Sequence, residues 1–350
     1  MKKNITRNIS LSVVALLTIG LCTSCINEWT QNEAIEIYEP TLEEKNPEAY
    51  AEYLEMLRQY KKSDHRVVYV SFDNHVKEPV ARAHHIDVIP DSVDYVELLY
   101  PDGLTDREIA EMNDTRTRKG TKYVYVISYA AMETEYLAKV AKDKESATEG
   151  QTPAQPTEAD FLAFINEYAL KGLALSKKYN YDGIVLSYMG QGIINSTEEE
   201  IAVYRARQEA FINPILAWAN ENSTKDLVFE GRAYNLLDKG ILARCRNIIV
   251  SSSFAQSVSG VEKILRMSLQ EGIPTDKIVV SVQTPNIDNP DDKSTGYFDG
   301  RSSILETAYW ISRPNKDFKV AGLAIYNVQN DFYDISKIYK NTRIAISSIN

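Results

Sequence analysis

Acid–base chemistry needs a carboxyl whose proton can move, held where a substrate can reach it. Several carboxyls of this chain stand in or just beyond short apolar runs. Glu230 follows Leu227-Val228-Phe229, Glu133 lies shortly after Tyr123–Ser128, and Glu97 sits inside Val93–Leu99. One further stretch has the same form, Tyr179-Asn180-Tyr181-Asp182-Gly183-Ile184-Val185-Leu186-Ser187-Tyr188-Met189-Gly190. Its carboxyl, Asp182, precedes the apolar run, and the run ends in Ser187 and Met189. A thioether has no proton to give, so Met189 closes this run without an acid. Tyr129, Tyr188, Tyr234 and Tyr326 also fall close behind apolar runs, in a chain with 22 tyrosines. Metal chemistry is poorly served. His84 and His85 are adjacent and would point to different faces of a helix, whereas a zinc pair wants i, i+4 spacing. Asp288, Asp291, Asp292 and Asp299 share the polar segment Asn286–Gly300, but their spacing does not fit a calcium loop of the EF-hand type. We expect a solvated loop there, and neither metal nor cofactor.

The apolar runs recur with helical patterns between them. His65–Asp73, Val93–Leu99, Tyr123–Ser128 and Ile184–Ser187 read as four strands. Leu227–Phe229, Ile248–Ser252, Ile278–Val282 and Val320–Tyr326 read as four more. Amphipathic patterns are clearest at Pro47–Lys62, Phe161–Lys178, Glu199–Asn220, Val261–Glu271 and Ser302–Ser312. Near-continuous apolar strands alternating with helices imply a parallel sheet covered on both faces. Eight repeats close most simply into a (β/α)8 barrel, the TIM barrel of the α/β class. A doubly wound open sheet is the alternative, but the Gly-rich phosphate turn of its commonest form is missing after the first strand, at Phe72-Asp73-Asn74-His75. Barrel function sits at the carboxyl ends of the strands. Those ends offer Asp73 and Asn74, Tyr100 and Asp102, Tyr129 and Glu133, then Ser187, Tyr188 and Met189. The later strands offer Glu230 and Tyr234, Ser253 and Phe254, Gln283 and Asn286, and finally Tyr326, Asn327, Asn330 and Asp331. Glu97 is expected to face the interior as a paired structural carboxylate, and Trp310 to belong to the core. Lys142–Glu158, rich in polar and charged residues, reads as an exposed excursion.

Asp182-Gly183-x-Val185-x-Ser187-x-Met189 resembles the fourth strand of the family 18 glycoside hydrolases, Asp-Gly-x-Asp-x-Asp-x-Glu. The pattern Tyr50-x-x-Tyr53-Leu54-x-x-Leu57-Arg58-x-Tyr60-Lys61-x-Ser63-x-His65 is similar to the lead-in helix of family 18-like lipoproteins from glycan-utilisation loci of Bacteroidetes. In that family the final Glu protonates the glycosidic oxygen, the third Asp orients the substrate's acetamide, and the acetamide attacks the anomeric carbon. A Tyr after the sixth strand commonly supports it. Here the acid position is Met189, the orienting Asp is Ser187, the second Asp is Val185, and the sixth strand ends in Ser251-Ser252-Ser253-Phe254. Loss of a positioned general acid alone costs about 10²–10⁴-fold. The resemblance therefore implies a barrel that handles sugar without the family's catalytic residues.

The first residues carry Lys2, Lys3 and Arg7, an apolar run to Leu21, and Cys22-Thr23-Ser24-Cys25. This order of charge, short apolar run and small residues is that of a secretory signal. Cys25 has the setting of a lipidated cysteine. We expect a signal peptide over 1–24, a tether over 25–46 and the barrel domain over 47–350. Loss of three cations moves the net charge from −10 to −13. An acidic surface argues against nucleic acid and anionic membrane as partners, leaving the lipid as the membrane contact.

The expected function is thus that of a cell-surface outer-membrane lipoprotein that binds N-acetylglucosamine-containing or related oligosaccharides for uptake. By the resemblance it would work beside SusC/SusD-like transporter components. Tyr129, Tyr188, Met189, Glu230, Tyr234, Gln283, Tyr326, Asn327 and Asp331 are its candidate ligand contacts, as rings and polar groups at strand ends. Two alternatives differ in class. One is an active endo-acting hydrolase of the chitinase or endo-β-N-acetylglucosaminidase type using Glu230 as a relocated acid. The other is a protein–protein interaction module on a repurposed barrel.

Overall fold

A computed structural model describes residues 40–145, 156–334 and 336–350. The proposed signal peptide, Cys25 and most of the tether lie outside the described residues. The chain divides into two compact units, Met1–Glu52 and Tyr53–Asn350. In the first, the described part of the expected tether contains a short helix, Leu42–Lys45, closed by a capping box between Thr41 and Glu44.

The second unit is a (β/α)8 barrel of parallel strands. Nine hydrogen-bonded segments lie in the order Lys122–Val124, Tyr95–Leu98, Val67–Phe72, Gly322–Tyr326, Ile278–Gln283, Asn247–Val250, Asp226–Gly231, Gly183–Tyr188, Val126–Ser128. The two outermost segments are halves of one strand interrupted at Tyr125. The first half pairs with Tyr95–Leu98 and the second with Gly183–Tyr188. Eight staves therefore form a closed ring with no free edge.

Strand alternation sorts the side chains into two apolar layers. Val67, Tyr69, Tyr95, Val124, Val185, Val228, Ile249, Val279 and Ala324 pack together inside the barrel. The intervening residues, such as Val68, Val96, Ile184, Leu186, Phe229 and Val280, pack outward against the helices. This period of two explains the continuous apolar runs, because both faces of every strand are buried.

Three longer helices that were not legible as clear amphipathic patterns complete the layer, Asp106–Lys119, Tyr129–Glu145 and Lys340–Ile349. The first has a capping box between Thr105 and Glu108, and it ends at Gly120 in the left-handed conformation. The second is a correction to the expected excursion, since residues 142–145 continue it. The next helix, Glu158–Lys178, starts on a Thr157–Asp160 capping box, so only the middle of that polar stretch lies outside the described residues. The sixth strand ends at Val250 rather than Ser252. Ser252 instead donates its amide to Val250 and its hydroxyl to the Ser281 carbonyl.

Candidate functional site

The fourth strand, Gly183–Tyr188, runs from the amino-terminal face of the barrel to its carboxyl-terminal mouth. Its start is built by the two residues that match the motif. Both Asp182 carboxylate oxygens accept from Arg116 Nε at 3.0 Å, and Oδ2 also accepts the Tyr123 amide at 2.8 Å. A Cβ on Gly183 would stand 2.3 Å from the Asp226 carbonyl oxygen, so only glycine lets the fourth and fifth strands approach this closely. Asp182 and Gly183 thus position the strand.

At its far end, Val185 is a member of the inner layer, so Ser187 continues along the lumen side, while Met189 follows the last residue of the strand. Tyr188 faces outward. It is buried, its ring meets that of Tyr129 edge-on at 5.1 Å, and its hydroxyl accepts from Gln208 Nε2. Tyr129 makes a second edge contact with Phe211 on the helix Glu198–Glu221. Both tyrosines therefore belong to the shell between strands and helices. Met189 joins them along a small cavity of about 170 Å³ that also touches Glu133, Tyr204 and Arg207. That volume is below the few hundred Å³ typical of small-molecule pockets. A larger cavity, about 730 Å³, opens at the opposite face near Arg66, Arg246 and Lys277.

The lumen at the mouth holds a different constellation. Glu97 lies two residues beyond the inner-layer Tyr95, Glu230 two beyond Val228, and Tyr326 two beyond Ala324. These three side chains form the level above the apolar layer. The Tyr326 hydroxyl donates to Glu230 Oε1 at 2.8 Å. Glu230 pairs in register with Ser187, and Tyr326 with Gln283. Glu97 is 6% exposed. Contrary to its expected role as a paired carboxylate, neither a hydrogen bond nor an ion pair reaches it among the described residues. Burial pushes its carboxyl well above the ordinary range, and the charge of Glu230 adds to the effect. Glu230 is also pushed up by burial, against the lowering effect of the Tyr326 hydrogen bond. Arg232, two residues further on, is exposed, and no ion pair between it and Glu230 forms among the described residues.

Other strand-end residues fasten loops. Asp331 is buried and accepts from the amides of Asn341 and Thr342, from Asn341 Nδ2 and from the Thr342 hydroxyl, holding the start of the helix Lys340–Ile349. Asn327, left-handed at φ 57°, donates its amide to Ser71 Oγ and accepts from Thr284 Oγ1. Asn74 is buried between Tyr100 and Glu108. Gln283 reaches the Ser253 carbonyl at 3.3 Å, and Tyr234 packs half-buried on the outer core, as does Trp310. In the Asn286–Gly300 loop, Asp292 Oδ1 accepts from Ser294 and Thr295 and makes a turn. His85, Asp87 and Glu111 bring donor atoms within 4.8 Å of one another. Glu111 there is already engaged by His85, Arg107 and the Ile86 amide, so we assign no metal.

A family-level comparison agrees with this architecture. The chain belongs to glycoside hydrolase family 18, BT1044-like, which matches residues 30–348. Among solved structures it is similar to a selenomethionine Glu-to-Gln variant of BT1044, with TM-score 0.58, 18% identity, and coverage of 89% of this chain and 96% of that one. It is also similar to the apo endo-β-N-acetylglucosaminidase of Cordyceps militaris, with TM-score 0.57, 14% identity, and coverage of 85% and 96%. A third is YKL-39 crystallised with chitooligosaccharides, with TM-score 0.53, 11% identity, and coverage of 81% and 99%. At these identities the likeness is one of fold. No curated protein sequence matches the chain. Family and fold together make this a carbohydrate-binding or hydrolytic protein of the family 18 type.

Proposed function

We propose that the chain binds N-acetylglucosamine-containing or related oligosaccharides at the mouth of its barrel and does not cleave them by the family's mechanism. The carrying observation is the division of labour along the fourth strand. The motif residues that remain, Asp182 and Gly183, are those that position the strand. At its far end, where the family pattern has the residues for protonation and acetamide orientation, stand Met189, just past the strand, and Ser187. Evolution toward binding alone would relax the second pair and keep the first, because only the first is needed for folding. Names of the fold relatives, an endo-β-N-acetylglucosaminidase and a protein crystallised with chitooligosaccharides, favour this ligand class.

The test is calorimetric titration of the soluble chain with labelled N-glycan and chitin-type oligosaccharides, with product release followed in parallel. Binding without release supports the reading. One observation favours a second reading, an active hydrolase: Glu230 lies beside Ser187 and holds its proton to higher pH than an ordinary glutamate. Product release that disappears in Glu230→Gln would establish that reading and remove the first.

We further read Cys25 as lipidated and the domain as displayed on the cell surface beside SusC/SusD-like transporter components. Loss of palmitate labelling in Cys25→Ala and loss of the domain on protease shaving of intact cells would support this. Labelling that persists in the variant would refute it.

A further inference from the structure

The mouth brings two carboxyls, Glu97 and Glu230, close enough in the lumen for the charge of one to raise the pKa of the other. Glu97 is more than nine-tenths buried, points into the lumen above Tyr95, and makes no hydrogen bond or ion pair among the described residues. Glu230 is half-buried and, among the described residues, has a single hydrogen-bond partner, the Tyr326 hydroxyl. Among the described residues, neither has a Lys, Arg or His at ion-pair distance. Buried charges are ordinarily paired, since an unpaired one costs several kcal/mol or is neutralised. Ser71, in register beside Glu97, accepts the Asn327 amide and keeps its own hydroxyl proton, and Ser281 Oγ donates to the Val250 carbonyl, so at most a neutral hydroxyl, and no cation, faces the pair from these serines.

We propose that Glu97, Glu230 and Tyr326 form a subsite for the ammonium group of an amino sugar, a glucosamine-type residue that carries a free amine instead of an acetamide. This rests on the glycan-binding reading and names the chemistry of one sugar position within it. An ammonium offers three N–H donors and no acceptor. It can address Glu97, the free lone pairs of Glu230, and the oxygen of Tyr326, whose own proton is directed to Glu230. It also supplies the positive charge that the pair lacks. An acetamide at the same place offers one donor and turns a carbonyl oxygen toward two carboxyls, acceptor against acceptor, which discriminates against it. Ser187 fits the exchange. The carboxylate that would orient an acetamide is absent at the position in register with Glu230.

Burial pushes both carboxyls up, so the free site holds its protons more firmly than ordinary glutamates do. An entering ammonium favours the ionised pair and displaces a proton. The experiment titrates the soluble chain with tetra- to hexasaccharides of glucosamine and, separately, of N-acetylglucosamine, at low and high salt. The expected result is at least tenfold tighter binding of the free-amine series, weakened by salt and accompanied by proton release in buffers of different ionisation enthalpy. Glu97→Gln and Glu230→Gln should each lose about tenfold for the free-amine series. Each should also retain or raise the thermal midpoint, because a carboxamide keeps the shape and removes the buried charge.

Equal or tighter binding of the acetylated series overturns the inference and leaves glycan binding intact. So does unchanged affinity in both carboxamide variants. Failure of both series to bind overturns the glycan-binding reading together with it.

Discussion

Asp182→Ala separates a folding role from a ligand role at the most recognisable residue of the family motif. Its carboxylate is 22% exposed and its partner Arg116 is 20% exposed. Removal leaves the amide of Tyr123, a buried residue, without its acceptor. That alone costs about 1–3 kcal/mol. The lost ion pair with Arg116, partly exposed and therefore screened, adds up to about 1 kcal/mol. The expected destabilisation is about 1–4 kcal/mol. For a domain of this size that corresponds to a fall of roughly 2–8 °C in the thermal midpoint. Asp182→Asn keeps an acceptor for the amide and should lose about half as much. Ser187 lies five residues further along an extended strand, about 16 Å away, so affinity for any glycan the chain binds should stay within twofold. The assay pairs a thermal or urea unfolding curve with a titration on the same preparations. A midpoint within 1 °C of the parent would refute the assignment. So would a tenfold loss of affinity at unchanged stability, which would return Asp182 to the ligand site.

Gly183→Ala should be at least as damaging, because its Cβ would stand 2.3 Å from the Asp226 carbonyl oxygen; forced overpacking costs about 1–3 kcal/mol or more. A urea midpoint equal to the parent's would show that the two strands can part freely. Asp331→Ala should lose about 2 kcal/mol or more through the four hydrogen bonds that hold Asn341 and Thr342, with ligand affinity unchanged. A reversed outcome, stability kept and binding lost, would make Asp331 a ligand contact. The buried pair His65–Asp94, 2.9 Å apart, raises the histidine's pKa through the hydrogen bond to Asp94. Its stabilisation is therefore complete below about pH 6.5, the unfolded value, and is lost as pH rises through the higher folded value. The stability difference between the parent and His65→Gln should shrink from pH 6 to pH 9, and a difference that grows would contradict the assignment.

The barrel was legible because both faces of each strand are buried, which leaves an unbroken apolar run at every stave. Strand ends were less legible, because a chain leaving the sheet still buries side chains; Ser252 and Ser253 are buried although the sixth strand stops at Val250. The helix Asp106–Lys119 escaped notice because it buries little apolar surface, Met112 with Glu108 and Thr115, and takes its start from a capping box. Tyr129 and Tyr188 show the sharper limit. Position at a strand end was read as exposure to ligand, yet the side toward which an extended residue points follows from its distance to the inner layer. Val185 is inward, so Tyr188 is outward. The same count, applied from Tyr95 and Val228, turns Glu97 and Glu230 toward the lumen together. Sequence could mark each of them as a carboxyl in or beside an apolar run, but only closure of the ring brings residues 133 positions apart onto one floor. What makes that floor a candidate site is a lack: a buried and a half-buried carboxylate, with one tyrosine hydroxyl bonded to the second. A missing donor is invisible until every neighbour is in place.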